Sequence, residues 1–256
     1  MGSIRQTRGY GGMVRMPSQD IYESSETKKQ ALGTRLPIGD REFVYTKNAG
    51  TALVPAALVC GDVEAANCNL LSVASTVINS DIVRVIMKTS CAKNKFADGY
   101  MWVESGTNLG TYRIKSHPAN GSTSSMALTL YDELAAVLTN GVDFVCIDRC
   151  HNTSATVMPI AVGDIRPPIG VPLVSVAANH YFWAQNKGPA GVTYVSMAGA
   201  AAGSPGMPVI PASSDSGNLS VPTSGNLLDL YPIIGYLMHS TSALDENQTL
   251  VMLAIQ

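Results

Sequence analysis

Charge is scarce in this chain. Only 14% of its 256 residues are Asp, Glu, Lys or Arg, against about 25% in an ordinary soluble domain. From Gly188 to Gln256 there is no Lys or Arg at all, and the acids there are Asp215, Asp229, Asp245 and Glu246. A net charge of −2 and a pI near 6.1 argue against a dedicated nucleic-acid binder, whose domain usually has a pI above about 9. A chain with so little surface charge is expected to hide part of its surface against partner subunits, so a homo-oligomer, most simply a trimer, is expected.

Long hydrophobic runs are missing too. A membrane-crossing helix needs roughly 20 apolar residues in a row, and Pro, Gly, Asn or Ser breaks every apolar stretch well before that. The opening MGSIRQTRGYGG has positive charge but no apolar core, which argues against a signal peptide. Without a secretory route the sequons at Asn120, Asn152, Asn218 and Asn247 read as chance matches. The five cysteines, Cys60, Cys68, Cys91, Cys146 and Cys150, are odd in number, which disfavours a disulfide framework. CIDRCH (146–151) places Cys146, Cys150 and His151 close together, but the second close pair of a structural zinc site is lacking. Buried small hydrophobes are the simpler reading, and no metal or cofactor is expected.

Recognisable catalytic patterns are likewise missing. His117, His151, His180 and His239 serve neither a G-x-S-x-G elbow nor a cysteine-nucleophile signature. Asp132–Glu133 and Asp245–Glu246 sit in turn-like sequence, as caps or solvated turns do. Gly199, Gly203 and Gly206 have no lysine to reach a phosphate, and no P-loop or dinucleotide fingerprint appears. Aromatics make up 6% of the chain. Their one cluster, Tyr181, Phe182 and Trp183, has only Lys187 for a basic neighbour, so it reads as a core or subunit anchor rather than a base-stacking platform. No catalytic residue is assigned, and the chain is expected not to be an enzyme.

What is present is a segmented β pattern. Residues 1–32 are Gly-, Arg- and Ser-rich and read as an extended arm, with at most a helical turn at SSETKKQAL (24–32). Its spaced apolar residues, Ile4, Tyr10, Met13, Val14, Met16, Ile21 and Tyr22, are expected to meet a neighbouring subunit, because ordering a chain costs about 1–2 kcal/mol per residue and needs a surface to offset it. Arg5, Arg8 and Arg15 fit carboxylates on a protein partner, or any anionic surface. Residues 33–256 read as a β-rich domain, with an inserted β subdomain over 80–150 as one reading. Strands are predicted at 41–47, 53–59, 70–78, 81–89, 99–105, 111–117, 125–131, 143–148, 155–162, 172–177, 181–186, 191–197, 232–238 and 249–255. One short helix is predicted at YDELAAVLT (131–139), and a long loop over 199–217. The fold class is therefore all-β, a mainly antiparallel barrel or sandwich with an N-terminal arm and at most one or two short helices.

Several segments together resemble a known type of protein. They are LGTRLPIGDREFVYTKNAGTALVPAALV (32–59), GYMWVESGTNLGTYRIKSHP (99–118), LTLYDEL (128–134), GVPLVSVAANHYFWAQNKGPAGV (170–192), IIGYLM (233–238) and ENQTLVMLAI (246–255). As a set they resemble virion structural proteins of tailed bacteriophages, in particular capsid decoration or cement proteins. The resemblance implies a partner, the major capsid protein, whose neighbouring subunits would be clamped from outside the shell. It also implies a place in the virion after synthesis in the host cytoplasm, and it supplies no residue with a chemical role. A head fibre, a tail component or the shell protein of the same virion are the nearest alternatives, the last disfavoured because no 20-residue amphipathic helix pattern is present. A carbohydrate-binding surface protein is the alternative of another class, and would call for more exposed aromatics or a carboxylate pair.

Overall fold

REFVYTK, with its aromatic and β-branched residues, forms strand Arg41–Lys47, and Phe43, Val44, Tyr45 and Thr46 are all buried in succession. Such a run needs cover on both faces of a sheet, and the structure supplies it. The structure is a computed structural model that describes residues 18–62, 69–106, 108–159, 166–195, 203–222, 231–241 and 248–255. Among these residues every regular element is a strand, so the chain is all-β. It divides into two compact units, Met1–Asp62 with Asn152–Gln256, and Val63–His151 between them.

The first unit opens with β1 (Arg35–Ile38), β2 (Arg41–Lys47) and β3 (Val59–Cys60). The second unit holds β4 (Leu71–Ser72), β5 (Ile82–Ile86), β6 (Tyr100–Ser105), β7 (Thr111–Ser116), β8 (Ser125–Leu130) and β9 (Phe144–Asp148). The first then resumes with β10 (Thr156–Val157), β11 (Pro168–Pro172), β12 (Tyr181–Thr193), β13 (Pro208–Pro211), β14 (Leu219–Ser220), β15 (Gly235–Leu237) and β16 (Gln248–Ala254).

In the second unit the strands pair in the order β4-β9-β6-β7-β8-β5. An antiparallel bridge from Val73 to Val85 then brings the first strand back to the last, and Ala74 N–H donates to the Arg84 carbonyl at 2.9 Å. The result is a six-stranded barrel. Its alternating inward residues, among them Val83, Val85, Met101, Val103, Met126, Leu128, Val145 and Ile147, form one core. Three loops lie at one end: 73–81, the one that includes 106 and 108–110, and 131–143.

The loop 131–143 corrects the predicted helix. Leu134 and Leu138 do point inward four residues apart, as on a helix face, and are buried in the barrel core. Their N–H groups, however, donate to the Ser80 carbonyl at 2.9 Å and the Thr76 hydroxyl at 2.8 Å. Committed there, they cannot donate to carbonyls four residues back, and the segment crosses the barrel end as an irregular plug.

The first unit is a ten-stranded sheet in the order β10-β3-β11-β12-β16-β15-β13-β14, with β2 on β12 and β1 on β2. The strands predicted at 181–186 and 191–197 are joined in the 13-residue β12. An irregularity between Gln185 and Lys187 lets β12 hydrogen-bond first to β2 and then to β16. The predicted 172–177 strand is displaced to β11, the predicted 53–59 strand shrinks to the two residues of β3 and an isolated bridge at Leu53, and 208–211 of the predicted loop is strand β13. Part of 155–162 and the stretch 196–202 lie outside the described residues.

The arm also needs correction where it is described. Residues 18–32 contain no helical turn, and they dock on their own chain. Gln19, Ile21 and Leu32 are buried, and Ser25 pairs with Tyr181. Gln19 Nε2 donates to the Tyr181 carbonyl at 2.8 Å and to the Glu23 carbonyl at 2.9 Å, while the Tyr45 hydroxyl donates to Gln19 Oε1 at 2.7 Å. One buried polar side chain thus anchors the strap with three hydrogen bonds. Residues 1–17 lie outside the described residues.

Candidate interaction surfaces

Residues that could have formed a chemical centre occupy structural positions. His117 is buried: Phe96 N–H donates to its Nε2 at 3.0 Å, and its Nδ1 lies 2.7 Å from the Pro118 carbonyl. This arrangement fixes a neutral ring with the proton on Nδ1. Burial pushes its pKa below the ordinary histidine value, against the smaller opposite pull of the Pro118 carbonyl. His180 faces Glu26 of the strap at 3.7 Å. His239 accepts from Leu250 N–H at 3.3 Å and lies 2.8 Å from the Ser240 carbonyl. Each of these three rings is held by its local surroundings.

Cys60, Cys91, Cys146 and Cys150 are buried free thiols. Burial pushes the Cys60 thiol up to about 11, so it stays protonated and unreactive at neutral pH. Cys146 contacts Glu104 Oε2 and accepts Leu70 N–H at 3.3 Å. His151 is half-buried beside Cys150, and among the described residues no group of three His, Cys, Asp or Glu side chains could hold a metal ion. Cys68, Gly199, Asp245 and Glu246 lie outside the described residues. Gly203 is a packing glycine, since an added Cβ would stand 2.4 Å from Leu237 Cδ1 and 2.8 Å from Thr241 Oγ1. Gly206 has φ +85°, which favours glycine in its turn.

The aromatic cluster is an internal anchor. Trp183 is buried edge-on against Tyr45 with ring centroids 4.9 Å apart, Tyr181 stacks on Tyr45 at 6.0 Å, and the Lys47 ammonium sits 5.6 Å from the Tyr181 ring centroid.

The described residues leave apolar side chains exposed at several places, and two of these gather several of them together. The first is a sheet face in unit one. On β12, Ala190 and Val192 point into the core, together with Val251 and Leu253 of β16 and Leu237 of β15. Residues directly opposite one another share a face. Pro189 stands opposite Met252, Gly191 opposite Leu250, Tyr236 opposite Met252 and Pro208 opposite Tyr236. On this outer face Tyr236 is 45% exposed, Met252 40%, Met238 39% and Leu250 38%. Glu42 lies at the rim beside Lys187, which comes two residues before Pro189, and pairs with Arg35 as well as with Lys187. Burial pushes the Glu42 carboxyl up, but Arg35, Lys187 and Asn186 outweigh it and leave its pKa below the ordinary value. The strand sequence TLVMLAI carried the signal for this face. It is apolar at odd and even positions alike, so it needs cover on two sides, and the described chain covers one.

The second place is the loop end of the barrel. Asn108 Nδ2 donates to the Val137 carbonyl at 2.8 Å, Thr76 N–H to the Leu138 carbonyl at 2.9 Å, and Asn79 N–H to the Leu134 carbonyl at 3.1 Å. These bonds draw the three loops together. Leu109 is 72% exposed there and Val77 70%, with Ile78, Val137 and Val142 exposed beside them. Asp81, Asp132 and Glu133 are exposed at the same end, and none of the three loops contains Lys or Arg. The composition pointed to hidden surface in general but not to these residues. Their signal is Val77–Ile78, two adjacent β-branched residues in a polar loop.

Comparison with known protein families, with characterised proteins and with solved structures finds no match for this chain.

Proposed function

We propose that this chain is a non-enzymatic structural protein that decorates the outside of a tailed-phage capsid as a homotrimer and cements neighbouring shell subunits. The observation that carries the reading is the apolar outer face of β12, β16 and β15 that the described residues leave open, with Pro189, Leu250, Met252, Tyr236 and Met238 on it and the Lys187–Glu42 pair at its rim. Exposed apolar patches of a few hundred Å² mark interaction sites on soluble proteins, and a stable interface takes about 800 Å² from each partner. A pleated sheet holds such a face rigid, so little conformational entropy is lost on binding. The resemblance of 32–59, 99–118 and 170–192 to decoration proteins supports a capsid as the partner. A clamp of this kind stabilises the shell by adding contacts that exist only in the closed particle.

The test is cosedimentation with heads of the encoding phage that lack this protein, followed by heating. The intact chain should bind and raise the temperature of DNA release. The double substitution Tyr236→Lys and Met252→Lys, at exposed positions, should leave the circular dichroism spectrum unchanged and lower head binding at least tenfold. Heads that release DNA at the same temperature with and without the chain would rule out a cement role.

A further inference from the structure

The loop end of the barrel and residues 1–17 are complementary in chemistry. The end presents exposed aliphatic side chains, Val77, Ile78, Leu109, Val137 and Val142, among exposed acids Asp81, Asp132 and Glu133. Its loops carry no cation. The nearby Arg113 is engaged elsewhere, stacked 5.3 Å over the Tyr131 ring and paired with buried Asp98 at 3.5 Å. Residues 1–17 are the converse. They hold Arg5, Arg8 and Arg15, no acid, and the apolar residues Ile4, Tyr10, Met13, Val14 and Met16. They precede Ser18, where the strap begins its run over the first unit. Seventeen extended residues reach up to about 56 Å, far enough to leave the unit they belong to.

We infer that the apolar, acid-flanked loop end of the barrel is the docking site for residues 1–17 of a neighbouring copy of the chain, so that exchanged arms hold the homo-oligomer together. Five aliphatic side chains in one place lose water when the arm's Met, Val, Ile and Tyr side chains cover them, which supplies the affinity. The arginines opposite Asp81, Asp132 and Glu133 supply orientation and a faster encounter. The same charge pattern disfavours two loop ends meeting directly, because acids would then face acids. The inference rests on the homo-oligomer of the proposed function and assigns the contact that builds it, whereas shell binding is assigned to the sheet face of the other unit.

Sedimentation of the full chain tests this, with a synthetic peptide of residues 1–17 as the probe. The full chain should sediment as an oligomer, and excess peptide should shift it to monomer by competing for the loop end. The shift should weaken several-fold as NaCl rises from about 50 to about 300 mM, because the charged part of the contact is exposed and screened. Val77→Lys with Leu109→Lys, both at strongly exposed positions, should give a folded monomer that binds fluorescent peptide at least tenfold more weakly than the parent chain. Arg5, Arg8 and Arg15 replaced together by Glu should give the same monomer from the other side of the contact. An oligomer that ignores both the peptide and the lysine substitutions would overturn the proposal. So would a monomeric full chain whose loop end is already covered by its own arm. Head binding is measured in parallel on the lysine variant. If it survives, a failure of arm exchange leaves the cement reading standing; if the Tyr236 and Met252 variant stays oligomeric but does not bind heads, the two surfaces act separately.

Discussion

Trp183 donates its indole N–H to the main-chain carbonyl of Gln19 at 3.1 Å, joining positions 164 residues apart in sequence. The carbonyl belongs to the residue whose side chain also bonds Tyr45 and Tyr181. Gln19 is therefore used at both ends, backbone and side chain, to seat the strap beside the aromatic cluster.

Replacing Gln19 with Ala removes the acceptor of the Tyr45 hydroxyl proton in a buried place, and one of two donors to the Tyr181 carbonyl, which keeps Ser25 N–H. Orphaned buried polar groups cost about 1–3 kcal/mol each. Gln19→Ala should therefore lower the urea midpoint of the first unit by an amount equivalent to about 1–3 kcal/mol, and proteolysis within 18–32 should accelerate. An unchanged midpoint would mean that the strap adds nothing to stability.

His117 makes the stability of the barrel depend on pH. Its folded pKa lies below the unfolded value, so the unfolded chain binds more protons as the pH drops. The contribution is fully present above the unfolded pKa of about 6.5 and is lost as pH falls from there through the folded pKa. The melting temperature should fall between pH 7 and pH 5, and His117→Gln should flatten that slope whatever its effect at pH 7. Equal slopes in the two proteins would assign the acid sensitivity to other groups.

Gly99 and Gly50 form a contrasting pair. A Cβ at Gly99 would stand 2.1 Å from the Asp148 carbonyl oxygen and 2.8 Å from backbone atoms of Arg149 and Cys150, whereas at Gly50 it would meet nothing within 4 Å. Backbone cannot rotate aside as a side chain can. Gly99→Ala should cost about 3 kcal/mol or more by forcing β6 from β9, and Gly50→Ala should stay within about 0.5 kcal/mol. Thermal melts of the two variants check this directly.

The strands that the sequence made legible are those whose packing is decided by their own residues. REFVYTK and the TYRIKS, SMALTL and TLVMLA stretches alternate or bury continuously over six or seven residues, and each forms a strand within a residue of the expected bounds. Where partners from far away decide, local pattern misleads. Leu134 and Leu138 have helical spacing, yet Thr76 and Ser80 take their N–H groups. Pro208–Pro211 reads as loop because two prolines flank two apolar residues, yet Val209 and Ile210 find partners in β15 and β14. Of the two apolar surfaces, the sheet face was half-legible in a strand apolar on both sides, while the barrel end needed the three loops to be brought together before it could be seen.

The short pairing of β3 with β10, Cys60 opposite Thr156 and Val59 opposite Val157, ties the two units together energetically. The chain leaves the first unit just after β3 and returns just before β10, so a folded barrel acts as a short loop between two paired strands. If the barrel melts, that loop becomes roughly ninety flexible residues, and each doubling of loop length costs closure about 0.6 kcal/mol. With the barrel folded, the pairing of Leu71 with Val145 shortens the loop to about twenty residues, so this is about two doublings, or about 1 kcal/mol set against the β3–β10 pairing. Unfolding of the insertion therefore loosens the sheet at its β10 edge first, and anything that steadies the barrel also steadies that edge.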